Sequence, residues 1–88
     1  MKHTIDGVRS YLEITKGLKT ITPTKRDDLY RTGKALVQEA ARKRAQAPAE
    51  ARFHLNAAID LWATLASSQC PVEARKLGRL IAVGWGDL

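Results

Sequence analysis

The sequence predicts an all-α fold: a compact bundle of about four short helices joined by tight Pro-containing turns. Three observations carry this expectation. Apolar residues recur at helical spacing in four separate stretches. Pro23, Pro48 and Pro71 each follow a break in that spacing and stand where a helix opens, the one place where a missing N–H costs nothing. No run of alternating β-branched residues offers a strand, and no fixed-period repeat or low-complexity segment divides the chain. All 88 residues therefore read as a single helical domain, 1–88, with helices over approximately 5–19, 24–46, 48–67 and 71–83.

The first helix starts at Thr4 or Asp6, either of which can accept from free backbone N–H groups. Ile5, Val8, Tyr11, Leu12, Ile14 and Leu18 give it one broad apolar face, opposite Arg9, Glu13 and Lys16. Thr22 or Thr24 then caps a second helix, whose apolar stripe is Leu29, Gly33, Leu36, Val37, Ala40 and Ala41. In the third, Pro48 and Glu50 suit the first turn, where a carboxylate complements the helix dipole. Ala51, Leu55, Ala58, Ile59, Trp62, Leu65 and Ala66 share its core face, with Leu61 widening it, so this helix is placed centrally. In the fourth, Ala74, Leu77, Leu80 and Ile81 point inward and Arg75, Lys76 and Arg79 outward. Gly84-Trp85-Gly86 reads as its end, because glycine takes the left-handed cap conformation freely.

A chain of this size buries about 60–65% of its unfolded surface. With one Phe, two Trp and two Tyr, its core is thin. Self-association into a homodimer would supplement it. The first twenty residues are too charged for a secretory signal, and no apolar run is long enough to span a membrane. Cys70 is the only cysteine, and His3 and His54 are the only histidines, so neither an internal disulfide nor a metal-ligand spacing arises. No nucleophile is spaced to pair with a base, and no glycine-rich loop opens a helix. The expectation is a cytoplasmic, non-enzymatic protein with no catalytic residues, no metal and no cofactor.

Charge is the strongest global signal: the formal net charge is +6 and the pI about 9.9. It is uneven. Residues 1–44 hold eleven Lys and Arg against five Asp and Glu, while residues 45–88 hold four against four. Such a field favours anionic partners. Arg31, Lys34 and Arg42, with Lys43 beside them, form a candidate partner-binding basic face on the second helix; a solvated helix face with dipole-satisfying terminal charges is the alternative. Phe53, opposite Trp62's face, and Trp85 are either packed against the bundle or exposed anchors of the kind enriched at interface hot spots. Arg75, Lys76 and Arg79 follow a short turn after Ser67, the spacing of a helix-turn-helix, although that turn lacks glycine and the helix lacks typical base-reading side chains. The leading expectation is an adaptor, regulator or inhibitor that docks a helical face on an acidic protein surface. The alternative is a nucleic-acid-binding regulator, and no membrane partner is expected.

Overall fold

The computed structural model describes residues 4–16, 18 and 20–86, and its order is α1 (Ile5–Thr15), α2 (Pro23–Lys43), α3 (Pro48–Ser67) and α4 (Pro71–Gly86). It is an all-α bundle. Thr4 caps α1, its hydroxyl accepting from the Gly7 N–H at 3.1 Å, and Thr22 caps α2 by accepting from Lys25 N–H at 3.1 Å. Both cap residues are extended, as a residue half outside a helix must be.

Two helices end earlier than the sequence suggests. α1 stops at Thr15, because Lys16 is already extended at ψ 131° while its N–H still donates to Leu12 O. The expected final turn to residue 19 includes 17 and 19, which lie outside the described residues. α2 stops at Lys43 rather than 46, and residues 44–46 form the turn into α3. α4 does the opposite and continues to Gly86. Gly84 is not a stop: it lies inside the helix, where a Cβ would stand 2.8 Å from Leu55 Cδ2 and 3.5 Å from Val37 Cγ1. Close approach of three helices, not chain reversal, demands glycine there.

Contacts fix the arrangement. Lys43 Nζ meets Glu50 Oε2 at 3.0 Å, folding α3 back along α2. Trp62 lies against Gly78 and Leu55 against Gly84, so α4 runs antiparallel to α3. Arg26 with Glu73, Gly33 with Leu77 and Val37 with Gly84 then make α4 parallel to α2. α3 touches all three other helices, whereas the backbone of α1 approaches only α3.

The core is built mainly of leucine: Leu29, Leu36, Leu55, Leu61, Leu65 and Leu77 are fully buried. Because α3 has neighbours on three sides, its buried arc takes in His54 and Ala57 and leaves out residues expected inside. Ala66 is exposed and Trp62 is 38% exposed. On α1, Ile14 is 70% exposed and Thr15 is buried in its stead, its hydroxyl returned to Leu12 O at 3.2 Å. Ala41 faces solvent and Leu80 is half-buried.

The α3–α4 turn closes without glycine. Gln69 takes the left-handed conformation at φ 59°, and Cys70 N–H reaches back to Leu65 O at 3.0 Å. This is the Schellman arrangement, completed by the buried pair Leu65 and Cys70.

Candidate functional site

The two tryptophans are the largest apolar side chains the sequence supplies, and neither is spent on the core: Trp62 is 38% exposed and Trp85 37%. Their positions follow from local packing. Position 78 is glycine, so the indole of Trp62 leans on the α4 backbone; a Cβ there would stand 3.1 Å from Trp62 Nε1. Beside this contact a cleft of about 310 Å³ opens between α3 and α4, lined by Ile59, Trp62, Gly78, Ile81 and Ala82. Every lining residue is apolar. Trp85 lies three and four residues beyond Ala82 and Ile81 and continues the same wall, since residues at those spacings are helix-surface neighbours.

Cations border this apolar strip. Arg75 precedes Gly78 by one turn and Arg79 precedes Ala82 by one turn; both are exposed, as is Lys76. Arg52, two turns before Ile59, stands on the matching face of α3 and is also exposed. Among the described residues none of these four forms an ion pair with a carboxylate. The one acid of α4, Glu73, is held by Arg26 at 3.1 Å. The outer surface of α4 therefore carries uncompensated positive charge beside an apolar floor.

The basic face expected on α2 divides in two. Arg31 and Lys34 are exposed, without ion-pair partners among the described residues. Arg42 and Lys43 are engaged: Arg42 Nη2 lies 3.0 Å from Glu39 Oε1, and Lys43 Nζ 3.7 Å from the same oxygen and 3.0 Å from Glu50 Oε2. Burial alone would raise the Glu39 pKa, but Arg42, Lys43 and His54 together hold it below the usual glutamate value. The Glu50 hydrogen bond in turn leads the rise in Lys43's pKa. The Lys43–Glu50 pair fastens the α2–α3 hairpin, while the Glu39 pairs lie within α2.

Phe53 is half-buried against the core, edge-on to His54 at 5.6 Å, with the Arg9 guanidinium 5.7 Å above its ring. It is a packing residue that helps seat α1. Arg75, Lys76 and Arg79 share the outer face of α4, but α4 returns along α3 through the Trp62–Gly78 and Leu55–Gly84 contacts. A helix-turn-helix instead crosses its helices at about 90–120°.

Two further clefts flank α1. One of about 590 Å³ lies against α2, bordered by Tyr11, Ile14, Asp28 and Thr32. Another of about 390 Å³ lies against α3, bordered by Leu12, Lys16, Asp60 and Thr64. In the first, Tyr11 OH donates to Asp28, whose carboxylate also meets Lys25 Nζ at 3.6 Å, so of the two carboxylates lining it, Asp6 and Asp28, the second is already engaged. Among the described residues no cluster of His, Cys, Asp and Glu could hold a metal, and no helix is long and apolar enough to cross a membrane.

Sequence reasoning missed the α3/α4 cleft because it assigned Trp62 to the core. The usable signal was Gly78, one of several small residues of α4 that let a neighbouring side chain approach its backbone. Against known protein families, curated proteins and solved structures the chain finds no match.

Proposed function

We propose that this is a small, non-enzymatic, cytoplasmic binding protein, an adaptor, regulator or inhibitor that docks its α3/α4 face on a protein partner. One observation carries the reading: a chain with a thin core leaves both tryptophans more than a third exposed beside an apolar cleft bordered by arginines. Tryptophan and arginine are the residue types that dominate interface hot spots, and surface apolar strips with polar rims mark interaction sites.

The test compares the wild-type protein with Ala82→Glu, which places a charge in the cleft without touching the buried core. Each is immobilised and exposed to nuclease-treated extract of the native host, with Arg31→Glu as a surface control. The reading expects proteins retained by wild type and Arg31→Glu but lost with Ala82→Glu. A protein profile identical in all three overturns it.

A second reading, binding to nucleic acid, is supported by the exposed cations of α4, which have no ion-pair partners among the described residues. It requires duplex binding that falls steeply with salt and weakens in Arg75→Ala and Arg79→Ala. No binding at low salt removes it.

A further inference from the structure

We infer that the α3/α4 cleft seats an amphipathic helix of the protein partner, its bulky apolar side chains entering beside Trp62 and its acidic flank lying along Arg75 and Arg79. This rests on the protein-binding reading and adds to it the form and charge of what is bound.

The form follows from the walls. Both are helices whose backbone groups are satisfied internally, so among the described residues there is no free sheet edge on which an extended peptide could add a strand. What two adjoining helices offer is a groove, and a third helix fills it with side chains at i, i+3 or i+4, and i+7. The apolar strip on α4 from Gly78 through Ala82 to Trp85 extends about 10 Å at 1.5 Å per residue. Two helical turns of an occupant match it. The missing side chain at Gly78 lets the Trp62 indole lie down on α4, and the cleft beside that indole, floored by Ile59, Ile81 and Ala82, is where a large apolar side chain of the occupant fits.

The charge follows from the rim. Arg75, Lys76 and Arg79 have no acidic partner among the described residues, and Glu73 is committed to Arg26. With Arg52 at the other end of the strip, both ends are positive. A second copy of this chain with its own α3/α4 face would bring the same arginines together, on a protein already at +6. Single-stranded nucleic acid would satisfy the arginines, and bases could stack on tryptophan. The floor beside Trp62 is aliphatic, however, with Ile59, Ile81 and Ala82 offering bases no hydrogen bond. An acidic amphipathic helix satisfies floor and rim together.

The probe is a displayed library of random peptides of about 16 residues, selected on the intact protein, alongside an oligothymidylate of about 20 nucleotides. Selected sequences should place Leu, Ile, Phe or Met at helical spacing with Asp or Glu flanking them, and become helical on binding. Their affinity should fall by about tenfold or more in Ala82→Glu and in Arg75→Glu/Arg79→Glu, and change less than about twofold in Arg31→Glu/Lys34→Glu. Circular dichroism and melting of each variant confirm that the fold is retained; all these substitutions are at exposed positions. Four outcomes overturn the inference: no enrichment, a Pro-rich or basic consensus, saturable oligothymidylate binding lost in Ala82→Glu, or a concentration-dependent dimer lost in Ala82→Glu. If the host extract yields Ala82-dependent proteins while the library selects non-helical peptides, only the helical partner fails. If neither shows dependence on Ala82, the protein-binding reading fails with it.

Discussion

Leu77 of α4 closes directly over Gly33 of α2: a Cβ at position 33 would stand 2.6 Å from Leu77 Cδ2 and 3.3 Å from its Cγ. Leu77 is fully buried and has nowhere to withdraw. Gly33→Ala should therefore destabilise by about 1–2 kcal/mol, the overpacking cost outweighing the roughly 1 kcal/mol gained in helix propensity. Urea unfolding of Gly33→Ala, Leu77→Ala and the double variant checks this. A shared contact predicts a double variant markedly less destabilised than the sum of the singles.

Tyr11 joins α1 to α2 by donating to Asp28, with the Lys25 ammonium 5.3 Å from its ring. Burial, followed by the Asp28 hydrogen bond, raises its pKa from 10.0 to about 12. A phenol whose pKa is raised on folding contributes stability that is complete below pH 10.0 and lost as pH rises through about 12. Tyr11→Phe should cost about 1 kcal/mol at neutral pH, the modest value reflecting a half-exposed site. Its melting temperature should then fall less than that of wild type over the same alkaline range.

Gln69 pays for its left-handed φ of 59° with steric strain on Cβ. Gln69→Gly should raise stability by about 0.5–1 kcal/mol, the relieved strain exceeding the added freedom of the unfolded chain. A melting temperature a few degrees above wild type is the expected result, and a lower one counts against the Schellman turn.

The Glu39 carboxylate lies between Arg42 and Lys43 and is depressed below its ordinary value of 4.5. Its stabilising effect is complete above pH 4.5 and lost as pH falls through the lower folded value. Glu39→Gln should lower the melting temperature at pH 7 and flatten its decline below pH 4.5. A parallel shift at every pH would show that the charge is not what matters.

Helix identity was legible because periodicity and proline placement report local chemistry, and α3 matches its expected bounds at Pro48 and Ser67. What periodicity cannot report is how many neighbours a helix has. Helical spacing therefore extends the core face of α3 to Trp62 and Ala66, which are exposed, and stops short of His54 and Ala57, which are buried. Glycine misled for a related reason: Gly84 looks like a terminator until Leu55 and Val37 are seen against it. The candidate site was legible only in its ingredients, the arginines of α4 and Trp85. Its position depends on the Trp62–Gly78 contact, which joins residues in different helices.

The way α1 is attached sets the order in which the molecule comes apart. The α2–α3–α4 unit is contiguous in sequence and joined by short turns, whereas α1 contacts the rest through one helix backbone and a few side chains. Sub-global opening draws on the least interlocked segments. Amide exchange in α1 should therefore run well ahead of exchange in α3, and by a larger margin in Tyr11→Phe. Each excursion would lift Arg9 from the ring of Phe53 and open that flank of α3, while the Trp62 cleft on the opposite side keeps its shape. The protein can loosen at its first helix without disturbing the surface it offers to others.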